Sequence, residues 1–241
     1  MSKDANFKTA NCSSMFHFKQ FSIFHQSEGL KVNTDGCLLG ALANHRSPNT
    51  CLDIGTGTGV IAMMLAQKFP ESTVTAIELN HEAFQQAQLN IAASKFKTRI
   101  NLIEQDIGEF SSTPFDLIVC NPPYFKNHLK GPDSNKNMAL HSDSLSQEKL
   151  VNKVDELLKP EGLFWVVYPP KEMESLIKIA KDKELNLINT IRVENKAGQH
   201  YRSICCFSKR KQITSKSELI LMDDKGARTA EFSEIMKDFY L

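Results

Sequence analysis

The stretch Cys51-Leu-Asp-Ile-Gly-Thr-Gly-Thr-Gly-Val60 constrains the chain more than any other. A short apolar strand runs into three closely spaced glycines, and an apolar helix is predicted from Val60 to Phe69. Glycine reaches positive φ without steric cost and lets a ligand lie against bare main chain. The amides at the helix start then face whatever binds. Gly55 and Gly57 are therefore candidate binding positions of a nucleotide-type site. Dinucleotide-binding proteins and plain βα turns use the same glycine spacing, so the neighbouring chemistry has to decide between them.

Carboxylates make that decision. Asp53 sits just ahead of the first glycine, where it repels a pyrophosphate but attracts the ammonium and sulfonium charges of S-adenosylmethionine. Glu78 closes the next predicted strand, Ser72 to Ile77, where an acidic residue in such folds accepts hydrogen bonds from ribose hydroxyls. The strand Ile100 to Ile103 leads to Asp106, able to accept from an adenine amino group, and to Ile107, able to cover the ring. Phe115 to Cys120 then runs straight into Asn121-Pro-Pro-Tyr124. In this order the four signals resemble the class I S-adenosylmethionine-dependent methyltransferases. The tetrad resembles the subset that methylates an exocyclic or amide nitrogen.

The chemistry of the tetrad supports that resemblance. An aromatic amine is a poor nucleophile because its lone pair is delocalised into the ring, and hydrogen-bond acceptors favour the pyramidal nitrogen in which that pair is freed. The Asn121 side-chain oxygen and the Pro122 carbonyl can each accept one amino proton, and fixed acceptors favour the charge developing on nitrogen. Two consecutive prolines remove competing donors and stiffen the turn, while Tyr124 offers a ring for a planar substrate to stack on. Asn121 also stands at the cofactor end of the strand, so it is expected to serve both ligands.

At 241 residues the chain can bury one substantial core, and nothing forces a second domain. A single domain over 1–241 is expected, with 1–45 as a cap or lid and 46–241 as the catalytic core. The formal charge of +1 means that any nucleic-acid contact must rest on a local basic face. Six scattered cysteines without metal-ligand spacing read as reduced thiols in a cytoplasmic protein with no metal site. The first 15 residues lack the apolar core of a signal peptide, and no stretch approaches a membrane span.

Around the glycine loop the elements alternate as βαβ units, which predicts a doubly wound α/β sheet. The aromatic run Phe16 to Phe24 reads as a small hairpin, either a cap on the core or a lid whose rings close over a ligand. Thr34 or Asp35 is placed to cap an apolar helix beginning near Cys37. Asn80 is placed to cap a helix with a Phe84, Ala87, Ile91 stripe, and Lys95, Lys97 and Arg99 read as a solvated turn. Ser144 and Gln147 have capping-box spacing before a helix that stops at Pro160, and a strand is expected from Leu163 to Tyr168. Leu187 to Val193 and Ser203 to Phe207 read as a closing antiparallel hairpin. Lys209-Arg-Lys211 reads as a surface turn.

The blocks Phe18-Lys-Gln-Phe21, Lys31-Val-Asn-Thr-Asp-Gly-Cys-Leu-Leu-Gly-Ala41, Asp53 to Gly59, Asn121 to Phe125 and Asp238-Phe-Tyr-Leu241 together resemble the bacterial tRNA-Val adenine-N6 methyltransferases over nearly the whole chain. The resemblance implies a Rossmann-like, seven-stranded, mostly parallel sheet with an antiparallel last strand. It implies methyl transfer from S-adenosylmethionine to the adenosine on the 3′ side of the anticodon. It also implies that Thr34 and Asp35 touch the methionine end of the cofactor. Lys126, Lys130 and His141 follow the tetrad as candidate phosphate contacts beside Tyr124 and Phe125. The pattern departs at Leu140, where the family often has an arginine before the histidine. An anticodon-loop base is already nearly unstacked, which favours tRNA over duplex DNA. The alternatives are a glutamine methyltransferase acting on release factors and a non-catalytic RNA-binding module. No stable protein partner is implied, and a monomer is the default.

Overall fold

The computed structural model describes residues 15–25, 31–123 and 145–241. The chain begins with a hairpin, β1 (Met15–His17) and β2 (Ser22–Phe24), followed by α1 (Thr34–Leu42). The sheet and its crossovers follow as β3 (Thr50–Ile54), α2 (Val60–Lys68), β4 (Thr73–Glu78), α3 (His81–Ala93), β5 (Ile100–Glu104) and β6 (Phe115–Cys120). After the tetrad come α4 (Gln147–Leu157), β7 (Leu158–Tyr168), α5 (Pro170–Asp182), β8 (Asn186–Glu194), β9 (His200–Ser208), β10 (Ser215–Ile220) and α6 (Ala230–Met236).

The main sheet has the order β10-β8-β9-β7-β6-β3-β4-β5, and β9 alone runs antiparallel, between β7 and β8. The doubly wound, mostly parallel α/β sheet read from the sequence is therefore present. Its seven expected strands are joined by an eighth, β10, which pairs parallel to β8 at the edge. Residues on β6 alternate between the two cores. Leu117 and Val119 pack with Met63, Met64 and Leu65 of α2, while Ile118 and Cys120 pack with Leu150, Val154 and Leu157 of α4. That alternation is the two-residue period of a strand buried on both faces.

Several helix ends differ from the sequence reading. The cap of α1 is Asn33, whose Oδ1 accepts from the Gly36 amide at 2.7 Å, so neither Thr34 nor Asp35 caps it. Ser146, not Ser144, caps α4, accepting from the Lys149 amide at 3.1 Å. The α3 stripe centres on Ala87 and Ile91, with Phe84 only half-buried. Arg99 does not mark a solvated turn. Its guanidinium donates to the carbonyls of Ala66, Phe69 and Ser72 and so closes the C-terminal end of α2. Lys68 does the same for α1, donating to Ala41 O and Ala43 O. Burial lowers its pKa to about 8.

The hairpin aromatics form a cap. Phe18, Phe21 and Ile23 are buried in the core that also holds Phe96, Phe232 and Phe239, and Phe18 bridges to Tyr240 of the C-terminal tail. None of these rings lines the cavity at the glycine loop. Asn90 of α3 ties this cap to that loop. Its Oδ1 accepts from the Phe24 amide at 2.9 Å, and its Nδ2 donates to Thr58 O at 3.0 Å and to Phe24 O at 3.2 Å. Asn90→Ala leaves buried main-chain groups of both segments unpaired. The expected cost is about 2–3 kcal/mol of stability, measured by urea denaturation.

Candidate active site

β3 has β4 on one side and β6 on the other, so the chain leaves the sheet in opposite directions from adjacent strand ends. Open α/β sheets bind ligands in the crevice that forms there. The carboxyl ends of β3, β4, β5 and β6 bring the sequence candidates to one rim. Gly55, Glu78, Asp106, Ile107 and Pro122 line a common cavity together with Ile54, Ile77, Leu79, Gln105, Pro123, Leu145 and Lys149.

The loop is shaped by its glycines. Gly55, Gly57 and Gly59 have φ of 70°, 57° and 85°. A Cβ on Gly55 or Gly57 would meet nothing within 4 Å, so open space lies against this backbone. The loop is fastened to β4 through Gly55 N and Thr56 N, which donate to Ile77 O. Glu78 anchors it further. Its Oε2 accepts from Gly57 N at 2.8 Å and its Oε1 from Asn80 N at 2.9 Å. Gly57 therefore belongs to the site through Glu78, without lining the cavity itself.

Asp53 lies beneath the loop and is fully buried. Its Oδ2 accepts from Thr56 Oγ1 at 2.6 Å, and its Oδ1 has no hydrogen-bond partner among the described residues. Burial raises its pKa from 3.8 to about 7. The Thr56 hydroxyl and the nearby Ala62 amide pull it down, and the Glu78 charge pushes it up. Asp106 is shifted the other way. The Lys149 ammonium, donating at 2.7 Å, and the Gly108 amide hold its pKa below the usual carboxylate value against a smaller effect of burial.

Asn121 is half-buried at the end of β6, after the buried thiol of Cys120. It lies against the first turn of α1. A Cβ on Gly36 would stand 3.3 Å from Asn121 Nδ2 and 3.4 Å from Asn33 Oδ1. Gly36 was not picked out from the sequence, although it sits in the Thr34-Asp-Gly36 block. Asp35 is buried in the first turn of α1. Its Oδ1 accepts from Tyr201 Oη and its Oδ2 from Arg202 Nε, each at 2.6 Å, so β9 engages both of its oxygens. Neither Thr34 nor Asp35 lines the cavity. Tyr124, Phe125, Lys126, Lys130 and His141 lie outside the described residues. Lys149 was missed because its significance comes from a tertiary contact with Asp106. Lys209 and Arg210, read as a surface turn, pair with Asp155 and Glu161.

Two predictions follow from this geometry. A cation beside Asp53 favours its ionised form, so S-adenosylmethionine affinity should fall by up to about tenfold per unit as pH drops below about 7. In the free protein the folded pKa lies above the unfolded one, so stability declines as pH rises through that interval. Asp53→Asn should therefore flatten the binding profile and melt higher at about pH 8, as read by calorimetry and thermal scans. Gly36→Ala should force the Asn121 amide to shift by a few tenths of an ångström. Turnover should drop about tenfold with cofactor affinity held within about threefold, in a comparison of steady-state rates with direct binding.

The family model for the methyltransferase small domain matches residues 33–183. A protein of Bacteroides thetaiotaomicron named tRNA1(Val) (adenine(37)-N6)-methyltransferase is 38% identical over 229 residues, 94% of this chain and 97% of its own length. One of the same name from Pseudoalteromonas translucida is 39% identical over 230 residues, 94% of this chain and 98% of its own. The fold is similar to that of a predicted O-methyltransferase from Agrobacterium tumefaciens, with a TM-score of 0.67 at 17% identity over 85% of this chain and 96% of that one. The chain therefore belongs to the methyltransferase small domain family, within the group of tRNA1(Val) (adenine(37)-N6)-methyltransferases that its motifs resemble.

Proposed function

We propose that this methyltransferase acts on N6 of adenosine 37 in tRNA1(Val), the substrate printed in the names of its relatives. The observation that carries the reading is a rim of four parallel strand ends around a carboxylate-lined, apolar-walled cavity bordered by Pro122 and Pro123, with Asn121 directly before them in the chain. The residues fit S-adenosylmethionine. Glu78 and Asp106 offer acceptors to hydroxyl and amino groups and Ile54, Ile77 and Ile107 offer apolar walls, while Asp53, buried beneath the glycine loop outside the cavity lining, has one oxygen without a partner among the described residues that suits a nearby cation. The same carboxylates oppose a pyrophosphate. When bound, this cofactor supplies an electrophilic methyl group on a positively charged sulfur.

The protein's own part is to present the nucleophile. Asn121 Oδ1 and the Pro122 carbonyl accept the two amino protons of the target base and favour the nitrogen geometry that attacks. Tyr124 stacks on the ring, and Thr34 and Asp35 at the start of α1 complete the methionine end. Phe125, Lys126, Lys130 and His141 supply contacts to the anticodon stem-loop, whose loop base needs little energy to leave its stack. In this reading residues 1–241 act as one catalytic domain, capped by 1–45, working as a monomer in the cytoplasm.

Labelled methyl donor offered with total tRNA, release factor and duplex DNA tests the substrate. Label is expected in tRNA at adenine N6, and label confined to release factor would overturn the reading. Asn121→Ala should keep cofactor binding and lose at least about 100-fold in transfer. Near-normal transfer by that variant would show that the acceptor mechanism is wrong.

A further inference from the structure

The cavity contains a cation that neither the cofactor's charge nor the tRNA backbone explains. Lys149 lies in the first turn of α4, and its Nζ donates to Asp106 Oδ2 at 2.7 Å. The other oxygen of Asp106 accepts from the Gly108 amide, also at 2.7 Å. Asp106 is thus fixed at both oxygens, once from α4 and once from its own loop. An ionised carboxylate with two partners keeps lone pairs for another donor.

Room for the lysine is built into the loop. A Cβ on Gly108 would stand 2.4 Å from Lys149 Cε and 3.0 Å from its Nζ. The Ser146 cap fixes the main chain of α4 at the Lys149 amide itself, so the stem leaves the helix at a defined point. Among the described residues the charged side chains lining the cavity are Glu78, Asp106 and Lys149, and Lys149 is the cation among these. The side chains of Lys149 and Asp106 are 39% and 29% exposed. Such a pair contributes little to folding, so its consequence belongs to binding.

We propose that Lys149 is a positioning residue for the cofactor's purine, holding the Asp106 carboxylate where the purine amino group is received, with Gly108 bare to admit its stem. The proposal rests on the reading of this cavity as the adenosine site. Lysine is suited to the task because its flexible stem carries a compact charge to one oxygen and leaves the other to the main chain.

Isothermal titration with S-adenosylhomocysteine tests it. Lys149→Met should weaken binding about tenfold with an unchanged melting temperature, and Lys149→Arg should restore it to within about threefold of wild type. Gly108→Ala would displace the far end of Lys149 and also press on Asp106 Oδ1, 3.2 Å from the added Cβ, so it should weaken binding at least as much as Lys149→Met. The Asp106→Asn, Lys149→Met pair should bind no more weakly than Asp106→Asn alone. The wild-type preference for S-adenosylhomocysteine over S-inosylhomocysteine, which has a carbonyl in place of the purine amino group, should narrow in Lys149→Met. Wild-type affinity in Lys149→Met, or additive losses in the double variant, would overturn the role of Lys149. Wild-type affinity in Asp106→Asn would instead remove the adenosine reading beneath it.

Discussion

The position of β3 between β4 and β6 sets everything built above the sheet. Because both neighbours run parallel to it, Ile54, Ile77 and Cys120 share a register, and the segments that follow them emerge on one rim. Chain elements separated by more than sixty residues then deliver Gly55, Glu78, Asp106 and Pro122 to one cavity. A strand end is a rigid place to mount a side chain, since the ladder fixes its height and the two-residue period fixes its face. Basic side chains from neighbouring segments close the ends of the helices that support this rim. Lys68 satisfies the last carbonyls of α1, and Arg99 satisfies those of α2.

Energetically, the rim is held against its own charge. A carboxylate as deeply buried as Asp53 destabilises the free protein when ionised, and Glu78 nearby adds to the cost. The fold accommodates Asp53 with the Thr56 hydroxyl on one oxygen and, among the described residues, leaves the other without a partner. In the proposed reading a cationic ligand beside Asp53 would relieve that penalty, so the same burial that costs stability would favour a sulfonium-bearing cofactor over neutral or anionic nucleotides. Glu78, by contrast, has a main-chain amide donating to each of its oxygens.

Local signals made much of this legible in the sequence. The Asp53-Ile-Gly-Thr-Gly-Thr-Gly59 spacing announced a strand, three positive-φ turns and a helix start, because only short-range backbone geometry was at stake. The strand Phe115–Cys120 and the Asn80 cap were equally local. Long-range contacts stayed hidden. Asp35 reads as a helix cap in sequence, yet its carboxylate is engaged by Tyr201 and Arg202, far along the chain. Arg99 sits among lysines as if solvated, yet it reaches three carbonyls at the end of α2. β10 escaped notice because Ser215-Lys-Ser-Glu218 is exposed and polar, and only pairing with β8 makes it a strand. Lys149 has no motif at all, only a neighbour.

The tetrad's place on the rim explains why asparagine and proline stand next to each other. β6 separates two cores, and the residues following it continue to divide two sides. Pro122 and Pro123 border the cavity with Ile54 and Ile107, while the Asn121 amide lies against Gly36 at the start of α1. In the proposed reaction the donor side and the acceptor side therefore meet at one stiff segment. Two prolines restrict the torsions through which that segment could relax, so the positions of the Asn121 oxygen and the Pro122 carbonyl are coupled. A loop of ordinary residues could present the same two acceptors. It would have to order them in each turnover, and the entropy cost of doing so would be lost from the rate.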